Sequence, residues 1–369
     1  MIAVCALVII ASSLSTVVES FVPEFSVCGI RTREGAMAGA SSSSTSSSSS
    51  SSSPSEGCSS TSSSTSTSSA IDRAMHDTYD SLATRLIRRY VTDVANGRLR
   101  NDQLFVGIAG GPGSGKSTLS ASVARLINER MDMTTSTSTS TSTTSRRPSM
   151  HVDDEAAAAA AATTSPPPVV VAPAAVVLPM DGFHYSRSQL MNMAGGDDDG
   201  GGGDGGGDGP ASTRATYDEL LARRGAPWTF DAEACVEAFT RARMTGEASL
   251  PIYSRIASDP VPDGVRLHPE TRIVFLEGNY LLAWDDERWS PLRTNGVFDE
   301  TWYVTCKSLT DQRRRLVRRH LETWTDEKTG MFGEGEAGAG AKADFNDMKN
   351  LAWIEEMSRK HADYVIESL

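Results

Sequence analysis

The 369-residue chain has no CxxC pair, and its five cysteines, Cys5, Cys28, Cys58, Cys235 and Cys306, stand singly. Neither a zinc site nor a disulfide framework is suggested by that spacing. Basic residues are not in excess: 35 Lys and Arg face 47 Asp and Glu, a formal net charge of −12. That balance argues against a general nucleic-acid binder. Five of the acids, Asp197, Asp198, Asp199, Asp204 and Asp208, share one glycine-rich tract, so the rest of the chain is nearer neutrality. No repeat architecture is visible. The apolar run at about residues 2–14 is too short to span a bilayer comfortably, and no stable membrane span is expected.

What is present at the start is that apolar run followed by a serine tract. Residues 1–20 read as a signal-peptide segment with small residues Val18 and Ser20 before Phe21, although no basic residue precedes the run. Residues 21–70, dominated by Ser and Thr with Arg31 and Arg33, cannot bury a core and are expected to be disordered. The pair resembles the two-part plastid presequence of algae with secondary plastids. A disordered extension after a secretory signal, or a cytoplasmic protein, is the alternative.

From residue 71 the pattern changes. Ile71, Met75, Tyr79, Leu82, Leu86, Tyr90 and Val94 recur at three or four residues, the spacing of an amphipathic helix. Residues 103–109 (QLFVGIA) form an apolar run ended by glycines, and residues 118–130 return to helical spacing. Further strands are expected at 174–180, 272–276, 301–306 and 363–367, with crossover helices at 217–221, 232–243 and 310–324. The strand segments are continuous rather than alternating, which suits parallel strands buried on both faces of an open α/β sheet. Two low-complexity insertions, 134–173 and 195–209, are expected to be disordered loops. Without them and the first 70 residues, roughly 240 residues remain, near the upper size for one core, so 71–369 reads as a single domain.

Residues 110–117 spell GGPGSGKS directly after a strand and before a helix, the context in which a GxxxxGK[ST] pattern has physical meaning. Gly110, Gly111, Gly113 and Gly115 let backbone amides turn inward around phosphate oxygens. Lys116 supplies a positive charge between the terminal phosphates of ATP, Ser117 a hydroxyl for Mg²⁺, and Pro112, Ser114 and Thr118 complete the expected nucleotide-contacting stretch.

Other residues decide between phosphoryl transfer and simple nucleotide binding. Asp181 closes the strand at 174–180, where ligands bind in parallel sheets, and a carboxylate there can take the proton of an attacking hydroxyl. The competing reading is a turn-capping Asp before Gly182. Glu277 ends the next strand, the place of an acid that holds Mg²⁺ through water. Arg315 and Arg319, and likewise Arg314 and Arg318, are four apart on one helix and could close over ATP or form a solvated face. No NKxD motif occurs, which disfavours a guanine-nucleotide switch.

With these residues in hand, the chain resembles the phosphoribulokinase and uridine kinase superfamily, which also holds the bacterial type of pantothenate kinase. The likeness runs from about residue 79 to the C-terminus. It rests on GIAGGPGSGKST (107–118), MDGFHYSR (180–187), RRGAPWTFD (223–231), PIYSRIASDPVP (251–262), EGNYLL (277–282) and FNDMKN (345–350). The resemblance implies a three-layer P-loop fold around a five-stranded parallel sheet, a lid carrying Arg315 and Arg319, Asp181 as base, and ATP with Mg²⁺ acting on a small-molecule acceptor. Uridine kinases carry DxFY and PxYDxxxHxR where this chain has DGFH and PIYSRIASDP, and pantothenate kinases carry YSH where it has Tyr253, Ser254 and Arg255. Acceptor identity is therefore open between nucleoside, sugar, polyol and pantothenate-like molecules. His184, Arg223, Tyr253 and Arg255 are the candidate acceptor residues, while Trp228 and Phe230 are expected in the core. A nucleotide-binding regulatory protein and a plain ATPase are the rival functions.

Overall fold

The computed structural model describes residues 30–32, 64–137, 172–194 and 215–369. The signal segment and nearly all of both insertions lie outside these residues. Helix α1 (Ser64–Ala95) starts seven residues before the expected domain boundary, and α2 (Lys116–Thr137) runs past the expected start of the first insertion. A short strand β1 (Ile30–Thr32) also falls inside the tract expected to be disordered.

The central sheet contains β1, β2 (Leu104–Ala109), β3 (Ala175–Pro179), β6 (Ile273–Gly278), β7 (Glu300–Cys306) and β8 (Tyr364–Ser368), in the order β1-β8-β7-β2-β6-β3. Five of these strands are mutually parallel, as expected, and β1 adds antiparallel to the β8 edge. Every residue of β2 and β6 is buried, which explains their unbroken apolar sequences. Successive β2 side chains enter opposite layers. Leu104, Val106 and Ile108 join Leu82, Leu86, Val123 and Ile127 on the α1–α2 side. Phe105 and Ala109 join Phe239 of α5 (Ala232–Thr245), Tyr280 and Trp289 on the other side.

Polar groups fix the layers. Arg85 and Arg89 of α1 both reach the buried Glu300 at the start of β7, and Trp302 Nε1 donates to the same carboxylate. Across the sheet, Arg243 grips Asp299 with two hydrogen bonds of 2.9 and 2.6 Å, and Asp299 accepts the Phe105 amide. Removing one partner of such a buried pair costs about 3–5 kcal/mol, because the other charge is left stranded. Helix α5 begins where Asp231 accepts the Ala234 amide and ends at Gly246, whose φ of 80° favours glycine.

The connections between strands also carry α3 (Arg187–Ala194), α4 (Tyr217–Ala222), α6 (Pro291–Thr294) and a hairpin of β4 (Ala248–Ser254) and β5 (Asp259–Leu267). Helix α7 (Leu309–Glu322) is followed by α8 (Asp326–Phe332), α9 (Gly335–Lys342) and, through a π-helical turn, α10 (Met348–Ser358). Among the described residues, no helix is long and apolar enough to cross a membrane.

Candidate active site

The phosphate loop follows β2; from it the chain runs out to the β3 edge, returns to β6 and crosses to β7 on the other side of β2, so the loop lies at the carboxyl ends of the strands, where open parallel sheets bind ligands. Gly113 (φ 77°) and Gly115 (φ 91°) take left-handed backbone conformations. A Cβ on Gly113 would meet Leu316 at 2.9 Å, and one on Gly115 would meet Ser368 Oγ at 2.7 Å. Backbone chirality and crowding thus both require glycine there. Gln312 of α7 donates to the Pro112 carbonyl at 2.8 Å, so α7 is seated directly on the loop. The buried Ser114 hydroxyl has no partner among the described residues.

Lys116 Nζ lies 3.4 Å from Glu277 Oε1, and both side chains are largely buried. Burial pushes the Glu277 carboxyl above the usual carboxylate range; the Lys116 charge opposes this, nearby Asp181 reinforces it, and hydrogen bonds from Ser117 and Lys116 oppose it. One carboxylate therefore faces both the P-loop lysine and its neighbouring hydroxyl, with a second carboxylate close by.

Asp181 sits in the 3-10 turn Met180–Phe183 that follows β3. That turn is pinned by the hairpin: a Cβ on Gly182 would fall 2.0 Å from the Pro251 carbonyl oxygen, so the DG pair allows a close backbone crossing. His184 leaves the turn with Nδ1 2.7 Å from the Asp181 carbonyl, its ring against Phe230 at 3.8 Å and Tyr253 at 4.8 Å between centroids. Burial lowers its pKa, so the imidazole is held neutral. A carbonyl only accepts, so Nδ1 carries the proton and Nε2 is left as an acceptor. Burial raises the Tyr253 phenol, which faces Arg224, Asp259, Asp181 and Arg187.

Asp181, Glu277, Lys116, Ser117, His184 and Tyr253 are therefore gathered at the strand ends. The other expected residues are placed differently. Arg315 flanks the loop near Gly115 and donates to Ser368 Oγ at 2.9 Å and to the Leu369 carbonyl, whereas Arg319 faces Asp347 at 3.8 Å. Arg223 donates to the Phe345 carbonyl at 2.7 Å and stacks on Trp228 and Phe345, tying two surface segments together. Trp228 is consequently 47% exposed rather than in the core, while Phe230 is buried as expected. Arg255 lies exposed in the tight turn between β4 and β5.

Sequence reasoning missed Arg224. Its guanidinium donates to the carbonyls of Ser258 (2.6 Å) and Tyr185 (2.7 Å) and to Asp259 (3.0 Å), and lies 5.2 Å above Tyr253. The signal available was the lone acid Asp259 downstream of an Arg pair. Asn279 was also missed; its buried Oδ1, two residues past Glu277, has no partner among the described residues. A separate hollow of about 570 Å³ beside Glu237, Arg241 and Arg288 contains none of these groups.

No family profile matches the chain. It is 27% identical over 289 residues to a Schizosaccharomyces pombe protein provisionally named a uridine kinase, covering 78% of this chain and 89% of that one. It is 33% identical over 147 residues to the ATP-dependent kinase-like protein notR' of Aspergillus versicolor, covering 38% of this chain and 71% of that one. Among solved structures, YFH7 from Saccharomyces cerevisiae, described as a candidate P-loop containing kinase with a circular permutation, aligns with a TM-score of 0.52 at 20% identity. That alignment covers 79% of this chain and 98% of the other, and supports the fold alone. A glycine loop seated on a parallel sheet, the carboxylates at its strand ends and these sequence likenesses converge: the chain belongs to the P-loop kinases of the uridine kinase and phosphoribulokinase type.

Proposed function

We propose that the protein is an ATP-dependent kinase that transfers the γ-phosphate to a hydroxyl of a small metabolite. The observation that carries this reading is the meeting of Lys116, Ser117, Glu277 and Asp181 at one end of the sheet. ATP use is further supported by the kinase names of the relatives.

In this reading the P-loop amides and Lys116 hold the β- and γ-phosphates. The Ser117 hydroxyl and Glu277 carboxylate form an all-oxygen donor pair suited to Mg²⁺, which keeps several of its waters and needs few protein ligands. When bound, that ion neutralises charge on the phosphates. Asp181 accepts the proton of the acceptor hydroxyl as its oxygen bonds to the γ-phosphorus; the bond from phosphorus to the β,γ-bridging oxygen breaks, and ADP leaves. His184 Nε2 is free to accept a hydrogen bond from a second hydroxyl, and the Tyr253 phenol, kept protonated by burial, can donate one. Arg315 lies on the flank of the loop, where its charge can reach bound phosphate.

The test is transfer. The full chain, ATP and Mg²⁺ are incubated with pooled nucleosides, sugars, polyols and vitamin precursors, and a product heavier by one phosphoryl group is sought by mass. Asp181→Asn is expected to lower transfer about 10²- to 10⁴-fold while leaving ATP affinity unchanged. Full transfer by that variant would remove Asp181 from the base role. Phosphate release with no phosphorylated acceptor would support an ATPase instead.

A further inference from the structure

Two neighbouring strand ends touch alternate glycines of the phosphate loop. The β7–β8 register sets Cys306 level with Ser368. Cys306 Sγ lies 3.5 Å from the Gly113 carbonyl, and Ser368 Oγ lies 2.7 Å from where a Gly115 Cβ would stand. Packing against the loop would be served as well by alanine, but the buried Ser368 hydroxyl has a second partner. Arg315 of α7 donates to it from Nη1 at 2.9 Å and from Nη2 to the Leu369 backbone oxygen. Arg315 Nη1 is thereby held 3.7 Å from that same Gly115 position, one residue before Lys116.

Three other arginines of α7 are held differently. Arg313 grips Asp344 at 2.7 and 2.8 Å, Arg314 pairs with Asp311 at 2.7 Å, and Arg319 faces Asp347 at 3.8 Å. Arg315 has no Asp or Glu at ion-pair distance among the described residues; a hydroxyl and a backbone oxygen hold it instead. A carboxylate both orients a guanidinium and cancels its charge, whereas a hydroxyl only orients it. A long arginine side chain that must be ordered when its ligand arrives loses affinity to that ordering, and one fixed beforehand does not.

We propose that Ser368 is a positioning residue for the nucleotide site: its hydroxyl fixes the Arg315 guanidinium beside Gly115, so that the charge is in place for the phosphates before ATP arrives. This rests on the ATP-binding part of the kinase reading above. Ser368 acts through Arg315 and through no contact of its own with the reacting atoms.

The test is a double-mutant cycle read by binding. The full chain and its Ser368→Ala, Ser368→Thr, Arg315→Met and Ser368→Ala/Arg315→Met variants are titrated calorimetrically with a non-hydrolysable ATP analogue and Mg²⁺, and thermal unfolding reports that each is folded. Ser368→Ala is expected to weaken binding about three- to ten-fold and Arg315→Met about ten-fold or more, since hydrogen bonds to charged groups are the stronger kind. Ser368→Thr keeps the oxygen and should stay within about two-fold of the native affinity. In the Arg315→Met background, Ser368→Ala should change affinity by less than about two-fold, because no guanidinium is left to hold. An equal loss with and without Arg315 would overturn the proposal and make Ser368 a packing residue of the loop. Native or tighter binding by Ser368→Ala, or a Ser368→Thr variant as weak as Ser368→Ala, would overturn it as well. No analogue binding by the unaltered chain would overturn it together with the ATP reading, and a failure of transfer alone bears on the acceptor instead.

Discussion

On the nucleotide side of the crevice, the glycine loop springs from the fully buried strand β2, is hydrogen-bonded by Gln312, and is crowded by Leu316 and Ser368. On the acceptor side, the chemical groups ride on a four-residue turn, a two-stranded hairpin whose tip is exposed, and a chain of short helices. Phosphate recognition is thus a property of backbone held by a rigid core, and it can be encoded by eight consecutive residues. Acceptor recognition is assembled from side chains far apart in sequence, each of which can change without disturbing the sheet. In the proposed function, the first side sets the reaction class and the second sets its substrate.

The largest effect should come from striking the rigid side. Lys116→Met removes the P-loop charge and leaves Glu277 buried without its cation. Transfer should fall by about 10³-fold or more, the scale on which charge-stabilising groups act in phosphoryl transfer, and ATP affinity measured calorimetrically should fall with it. Acceptor binding to the nucleotide-free protein should be nearly unchanged. Loss of both affinities together would show that the two sides are one mechanical unit and would break the comparison.

The same division explains what could be read without coordinates. The strand, loop and helix around residues 110–117 are contiguous, and the parallel strands, β6 fully buried and the edge strand β3 part-buried, announce themselves by unbroken apolar runs. The ends of β3 and β6 could therefore be located, and Asp181 and Glu277 with them. The β4–β5 hairpin was not legible because Pro251, Pro260 and Pro262 interrupt its strand pattern; a two-stranded ribbon with free edges tolerates them. Helices α8 and α9 were hidden by Gly330, Gly335, Gly338 and Gly340, whose low helix propensity is offset by packing around Leu316, Val317, Ala339 and Ala343. Between adjacent Arg223 and Arg224, spacing cannot say which turns inward; the structure gives Arg224 to the hairpin and Arg223 to Trp228 and Phe345.

Arg224→Met addresses the distributed side. It removes three hydrogen bonds to the segments that hold Tyr253, and the Asp259 carboxylate is left to the Arg187 amide alone. Acceptor KM should rise about ten-fold, since hydrogen bonds to charged groups contribute about 1.5–3 kcal/mol each but part of the loss is recovered by water. ATP affinity should stay constant. A matching loss of ATP affinity would mean that the hairpin supports the phosphate loop as well.

A smaller, several-fold effect should appear on acidification. His184 has a lowered pKa in the fold, so the neutral ring is the native form and its contribution is complete above the ordinary histidine value of about 6.5. It is lost as pH falls through the lower native value. Acceptor KM should be flat above that range and rise below it, and His184→Gln should flatten the profile. Asp181, Arg224 and Tyr253 also face this region. Removing the Asp181 base, as in Asp181→Asn, lowers kcat rather than raising KM, so a change confined to KM is assigned to His184.

The smallest effect is expected at Arg255. It differs from Arg224 in placement rather than chemistry: its side chain is exposed in the β4–β5 turn, next to Ile256, which is fully solvent-accessible. Exposed charges far from partners contribute within about 0.5 kcal/mol, so Arg255→Ala should change acceptor KM less than two-fold. If instead it matches Arg224→Met, the hairpin tip must fold down over bound acceptor. The acceptor side would then be a closing cover rather than a fixed wall, and the contrast in rigidity between the two halves would be one of motion as well as of construction.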